Sequence, residues 1–268
     1  MIWMLLFLAL SQRPEGFEET WNNLETYLER SNMERDIHSV VQFFVGRPYL
    51  VGSLEGEGPE TLRYHLDGFD CFTLTESAIA FSLLKEPDQE AYEDLLLKTR
   101  YRDGKLQGYQ SRLHYATEWG DRAVELGILE DVTSGFKGAQ PWSKTIDFMT
   151  KHRSAYAKLA DEQVFNDIEK FEKRLSQRKR NYVGLDELEA NKNNFLQGDI
   201  IMILTKKNGL DVGHFCYVTE PISDKSTSIG MVHASSTQKK IVRVEDMFQY
   251  IRNYPKVLGV MVFRLKKA

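Results

Sequence analysis

The spacing of apolar residues changes period once along this chain, and that change restricts the fold more than any other feature. From residue 15 to about residue 130 the apolar positions recur at three and four residues. Trp21, Leu24, Tyr27 and Leu28 do so, then Ile37, Val40, Val41 and Phe44, then Leu74, Ala78 and Phe81 beside Ile79 and Leu83. That spacing gathers side chains on one face of an α-helix. In the last third the runs turn short and β-rich: 200–205, 212–218, 230–235, 241–244 and 258–265, with Asn208-Gly209 as a hairpin turn. Helices first and antiparallel strands last is the layout of an α+β domain.

Gly46, Arg47 and Pro48 close the first helical region, and residues 49–69, with five Gly or Pro, read as strand fragments and turns. Tyr92 to Tyr101 and Ser111 to Leu129 read as further helices. Residues 151–194 are strongly charged, and Lys-Arg-Leu-Ser-Gln-Arg-Lys-Arg at 173–180 reads as a solvated helix face rather than a binding patch. This divides the chain into a terminal segment, 1–11, and one domain, 12–268, that carries a helical, charged insertion at about 136–195. Residues Ile2 to Leu10 are all apolar. They are too few to span a bilayer, which needs about 20. They match the apolar part of a secretory signal peptide, with Ala9-Leu10-Ser11 in the small-x-small form of a cleavage site. Export to the periplasm or cell envelope is the expectation. The missing Lys or Arg ahead of this run departs from the pattern, and an apolar arm packed on the domain is the alternative. No later segment reads as a transmembrane span. A net charge of −4 over 268 residues leaves no basic footprint, so a nucleic-acid partner is not expected. Oligomeric state is not legible.

Two cysteines, Cys71 and Cys216, allow one bridge at most. Cys71 follows Gly68-Phe69-Asp70 and opens a predicted helix, with Asp70 as its N-cap. A thiol in the first turn meets unpaired backbone N–H groups and the positive end of the helix dipole, so its pKa is expected to fall. A buried, inert cysteine fits the same position equally well. A catalytic thiol also needs a base. In a strand over 212–218, Val212, His214, Cys216 and Val218 share one face, and on the next run Met231, His233 and Ser235 share another. Two histidines on neighbouring strands can lie side by side, one as base and one holding it in the right tautomer. Two satisfied core histidines are the alternative.

Phe69-Asp70-Cys71-Phe72-Thr73 resembles the nucleophile motif of NlpC-type cysteine peptidases. Gly198-Asp199-Ile200-Ile201 and Gly209-Leu210-Asp211-Val212-Gly213-His214-Phe215 resemble their strand pair carrying the base, and Val232-His233-Ala234-Ser235 resembles the strand with the orienting histidine. Arg100-Tyr101-Arg102-Asp103-Gly104 and Ser111-Arg112-Leu113-His114-Tyr115 with Trp119 are similar to the N-acetylmuramoyl-L-alanine amidase-like branch. The resemblance covers roughly residues 40–135 and 180–265. It implies a papain-like NlpC-type fold, in which a helix-borne cysteine packs on an antiparallel sheet with additional helices around it. It also implies a cysteine hydrolase that cuts an amide in peptidoglycan or muropeptides. Cys71, His214 and His233 are carried over as nucleophile, base and orienter. The narrower motifs favour the muramoyl–L-alanine bond; the wider superfamily favours the γ-D-glutamyl–diamino acid bond. Cys216 departs from the small residue expected there.

Arg102, Arg112, His114 and Tyr115 are candidates to grip substrate carboxylates or sugar hydroxyls, and Asp70 is counted with them; ordinary packing roles are the alternative. No cofactor is expected. Two readings of other classes remain open: zinc held by Cys71, Cys216, His214 and His233, for which the common ligand spacings are lacking, and a non-catalytic wall-binding module.

Overall fold

The computed structural model describes residues 16–220 and 228–266; the apolar run Ile2 to Leu10 lies outside the described residues. α1 (Phe17–Ser31) buries Phe17, Trp21, Leu24 and Leu28, one face of the helix. α2 (Ile37–Phe43) begins at Asp36, whose carboxylate accepts the Ser39 N–H at 2.8 Å. α3 (Cys71–Leu83) is buried at every position from Thr73 to Phe81, as a helix running through a core must be. α4 (Gln89–Arg100), α5 (Ala116–Glu125), α6 (Phe148–Lys151), α7 (Glu162–Ser176) and α8 (Met247–Asn253) complete the helices.

The strands are β1 (Leu129–Asp131), β2 (Gln140–Trp142), β3 (Arg180–Gly184), β4 (Ile200–Thr205), β5 (Val212–Thr219), β6 (Gly230–Ser235), β7 (Lys240–Val244) and β8 (Val257–Leu265). They pair antiparallel in the order β2-β3-β8-β4-β5-β6-β7, and β1 also pairs with β8. The architecture is therefore mixed α+β, as the change of period implies. The strands β4 to β8 fall where the short apolar runs lie. β1, β2 and β3 are not legible, because three to five residues with one or two buried carry no readable alternation.

The sheet has a core on each face. Ile200, Met202, Leu204, Phe215 and Tyr217 pack with the helices α1 to α5, while Ile201, Ile203, Cys216 and Val218 pack with Met247, Phe248 and Ile251 of α8. This alternation is the period of two that marks a strand buried on both sides. The connection from β4 to β5 turns at Gly209, whose φ of +75° is the left-handed region glycine adopts freely. Its carbonyl accepts the N–H groups of Asp147 and Phe148 at 3.2 and 3.1 Å. A Cβ at Gly209 would lie 2.4 Å from Asp147 Oδ1, so the close approach also requires glycine.

The segment 136–195 holds β2, α6, α7 and β3, and β3 joins the sheet beside β8 through Val183↔Val260 and Gly184↔Gly259. Its charged run 173–180 is only partly a solvated helix face. α7 stops at Ser176, and Arg180 is buried at the start of β3, paired with Asp121.

Candidate active site

Cys71 is the first residue of α3, and its position is fixed by a reciprocal cap. Asp70 Oδ1 accepts the N–H groups of Phe72 and Thr73 at 2.9 and 2.8 Å, and the Thr73 hydroxyl accepts the Asp70 N–H at 3.0 Å. The Ser53 hydroxyl donates to Asp70 Oδ2 at 2.9 Å. Such a cap stabilises a helix by about 1 kcal/mol. Cys71 keeps partial solvent exposure, and the backbone N–H groups of Phe215, Cys71 and Phe72 are directed at its sulfur.

His214 and His233 do lie side by side. His214 Nε2 and His233 Nδ1 are 2.8 Å apart, with the rings nearly perpendicular at 84°. Gly213 is a β-bulge: the register with β4 shifts between Ile203↔His214 and Leu204↔Val212. The Tyr254 ring stacks on His214 at 5.5 Å and 9°, and its hydroxyl donates to the Gly213 carbonyl at 2.7 Å. A Cβ at Gly213 would sit 3.0 Å from that ring, so the stack depends on glycine. Tyr250 lies 4.6 Å from His233 and places its hydroxyl 3.4 Å from Nδ1.

Cys71 and His214 are at the same end of β5, since the thiol faces the N–H of Phe215, the residue after His214. Among the described residues no hydrogen bond joins Cys71 to His214. One cavity is lined by the chain neighbours of Cys71, and another by His214 itself. The first, of 290 Å³, is lined by Asp70, Phe72 and Phe215 together with Arg112, Tyr115 and Tyr156. The other, of 340 Å³, is lined by His214, His233, Ser235, Asn253, Tyr250 and Tyr254.

The family model described as AmiA-like, N-acetylmuramoyl-L-alanine amidase-like, matches residues 39–260. The chain belongs to that family. The solved structures agree. A crystal structure of an N-acetylmuramoyl-L-alanine amidase from Bacteroides uniformis is 35% identical, covers 87% of this chain and 100% of its own, and superposes with a TM-score of 0.81. A protein described as a putative xylanase from Bacteroides fragilis is 32% identical over 85% of this chain and 100% of its own, with a TM-score of 0.78. A Legionella pneumophila protein shares the fold at 20% identity and a TM-score of 0.68, covering 93% of this chain and 95% of its own. No curated protein matches.

The electrostatics of this amidase-like hydrolase correct one expectation. The Cys71 thiol is not held below the usual range. Burial, and then the Asp70 carboxylate, push it up to about 12, against the opposing pull of the three backbone N–H groups. A helix end lowers a thiol pKa only where desolvation is smaller than the dipole and hydrogen-bond terms, and here it is larger. Burial and the neighbouring His233 push His214 down to about 3, and burial pushes His233 down to about 4. The resting site therefore holds a neutral thiol and two neutral imidazoles at pH 7.

The other candidates have partners within the fold. Arg102 lies outside both of these cavities. Its guanidinium pairs with Glu118, donates to the carbonyls of Gln110 and Arg112 at 2.5 and 2.8 Å, and stacks on Phe171. Arg112 pairs with Glu55 at 2.5 Å and Glu60 at 3.6 Å. His114 Nε2 bonds the Tyr109 carbonyl at 2.8 Å, and burial lowers its pKa well below the ordinary value. The Tyr115 hydroxyl donates to Glu172 at 2.6 Å. Arg112, His114, Tyr115 and Asp70 line the 290 Å³ cavity. The zinc alternative is not assembled: among the described residues no three His, Cys, Asp or Glu side chains converge as metal ligands.

Sequence reasoning missed Tyr250 and Tyr254, which clamp the histidines, and Glu172, which organises the insertion. The tyrosines are four apart, Tyr250 on α8 and Tyr254 just past its end, a spacing the sequence shows, but nothing local says which strand they cover. Asp211 was within reach, since it lies in the motif carrying His214. It is 1% exposed, and its Oδ2 accepts the N–H and hydroxyl of Thr117, both at 2.8 Å, so it caps α5 from a distant part of the chain.

Proposed function

We propose that this chain is a cysteine amidase of the papain-like NlpC type that cuts the N-acetylmuramoyl–L-alanine bond of peptidoglycan or muropeptides in the cell envelope. The observation that carries the reading is the 2.8 Å contact between His214 Nε2 and His233 Nδ1. If His214 donates through Nε2–H, its Nδ1 is the free base position, and the Cys71 sulfur lies at the same end of β5. His233, kept neutral by burial, accepts that hydrogen bond and fixes the tautomer.

The chemistry follows from neutral partners. Sulfur attacks the lactyl carbonyl carbon of the muramoyl group as its proton passes to His214 Nδ1. The carbonyl π-pair moves to oxygen, where the Cys71 N–H is the candidate donor. The tetrahedral carbon then expels the alanine nitrogen, which takes the proton from His214, and a thioester remains on Cys71. Water, deprotonated by His214, attacks the thioester and releases the muramic acid carboxyl and the free thiol.

The test is incubation of defined muropeptides with wild type and Cys71→Ala, with fragments identified by mass. Release of a peptide beginning with L-alanine, lost in Cys71→Ala, is the expected result. Cleavage between γ-D-glutamate and the diamino acid moves the cut to the alternative bond. Undiminished cleavage by Cys71→Ala rejects the cysteine mechanism.

A further inference from the structure

The 2.8 Å contact between His214 Nε2 and His233 Nδ1 can run in either direction, because both imidazoles are neutral and each carries one ring proton. With the proton on His214 Nε2, the Nδ1 of His214 keeps a lone pair for the thiol. With the proton on His233 Nδ1, His214 accepts through Nε2 and carries its own proton on Nδ1. It then has no free nitrogen to offer Cys71. Two imidazoles present the same groups to each other, so nothing within the pair selects the useful direction. What selects it matters only on the cysteine-amidase reading, on which this inference rests.

Tyr250 lies where the selection is made. Its helix, α8, is fixed to the sheet by the buried side chains of Met247, Phe248 and Ile251. At its start, Asp246 Oδ1 accepts the Gln249 N–H at 2.9 Å and the Ser228 hydroxyl at 2.6 Å. The Tyr250 ring packs on His233 with centroids 4.6 Å apart, and its hydroxyl is 3.4 Å from Nδ1. Among the described residues that hydroxyl has no other hydrogen-bond partner. The two tyrosines therefore divide their work. The Tyr254 hydroxyl donates to the Gly213 carbonyl at 2.7 Å and holds the bulge, while the Tyr250 hydroxyl faces a ring nitrogen.

A phenol donates better than it accepts, since its oxygen lone pair is delocalised into the ring. Burial raises the pKa of Tyr250, so its proton stays in place at pH 7. A donor directed at His233 Nδ1 favours the tautomer that has its lone pair there and its proton on Nε2. The same lone pair then takes the His214 Nε2–H as its principal, shorter bond. At 3.4 Å the tyrosine contact is the weaker of the two, enough to bias a balanced pair without displacing His214. The bias also acts during turnover. When His214 takes the thiol proton on Nδ1, its Nε2–H could pass on to His233. A hydrogen bond donated to the neutral form of His233 lowers its proton affinity, so both protons stay on His214 until the leaving nitrogen takes the one on Nδ1.

We propose that Tyr250 is a positioning residue that sets the direction of the His214–His233 hydrogen bond and so keeps His214 Nδ1 free for the thiol.

The experiment reads the tautomers directly. Cys71→Ala protein, labelled with 15N at histidine, is compared with Cys71→Ala/Tyr250→Phe by long-range 1H–15N correlation NMR at pH 7. The expected pattern in the first protein is His214 and His233 both protonated at Nε2, with both Nδ1 atoms bare. Tyr250→Phe keeps the ring and loses the hydroxyl. It should move both residues toward the Nδ1–H form. In the active enzyme Tyr250→Phe should lower kcat on a muropeptide about fivefold, the size of one neutral hydrogen bond, with KM unchanged. A proton on His233 Nδ1 in the parent protein overturns the proposal whether or not the variant folds. Tautomers that do not respond to Tyr250→Phe, or an unchanged kcat, overturn it as well. Failure of wild type to cut any muropeptide would reject the amidase reading instead, and the NMR comparison would still decide what Tyr250 does to the histidine pair.

Discussion

Each face of the sheet carries one cysteine. On the α3 face Cys71 sits at a helix start, partly exposed, with three backbone N–H groups directed at its sulfur. On the α8 face Cys216 is fully buried among Ile201, Val218, Met247 and Ile251. Burial raises the pKa of both thiols. The two therefore do not differ by one being a ready thiolate at rest. They differ in access and in what lies beside them. Cys71 has amide donors and a cavity lined by its chain neighbours Asp70 and Phe72; Cys216 has methyl and methylene groups. Reactivity at this site is a property of the transition state and its surroundings more than of the resting charge.

The comparison breaks most sharply at Cys71. Cys71→Ala should lower amide hydrolysis by at least about 10³-fold, since the thiol forms the acyl intermediate and the nearby Ser53 and Thr73 hydroxyls are held by Asp70. Cys216→Ala should keep most activity, because it removes one buried sulfur from a core that lies away from the cavities. Turnover of Cys71→Ala near that of wild type in the muropeptide assay would put the chemistry elsewhere.

The histidines test the base. His214→Ala should cost about 10²- to 10⁴-fold in kcat, the range of a general base. His233→Ala removes one hydrogen bond to a charged intermediate and should cost about 10- to 100-fold. The double variant should be little worse than His214→Ala alone, because the two act as a unit. Additive losses in single-turnover kinetics would contradict that division of roles.

A third test separates α3's chemistry from its structure. Glu76, one turn beyond the thiol, forms a fully buried ion pair with Arg100 at 2.7 Å. Glu76→Ala strands a buried guanidinium and should destabilise the protein by about 3–5 kcal/mol in urea unfolding. A loss below about 1 kcal/mol would mean that water or another group reaches Arg100.

The pH profile gives the smallest effect on turnover. Burial holds His214, His233 and His114 below the ordinary histidine value. An unfolded chain binds those protons from about pH 6.5 downward, and the folded chain does not. Stability should therefore be full above pH 6.5 and fall steadily as pH drops toward 4. Activity should hold lower, because His214 stays neutral until about pH 3. A kcat/KM acid limb near pH 6.5 would show that His214 is far better solvated than its packing under Tyr254 implies.

Much of this arrangement was legible in the sequence. The strands β4 to β8 follow from apolar runs and turn residues, because alternation over five or more residues is a local signal. Asp70 announces the start of α3, because a cap is satisfied within four residues. His214 and His233 could be nominated as neighbours, since adjacent strands in an antiparallel sheet bring such residues together. Only the tertiary structure decided the rest. The pKa of Cys71 depends on how much protein surrounds it, and burial is a sum over distant segments. The partners of Arg102 and Arg112 are carboxylates up to 57 residues away. Tyr254 reaches Gly213 across 41 residues, and Glu172 organises a cavity wall from a helix whose sequence reads only as charged. A sequence records which groups are available along the chain; which of them meet is fixed by packing.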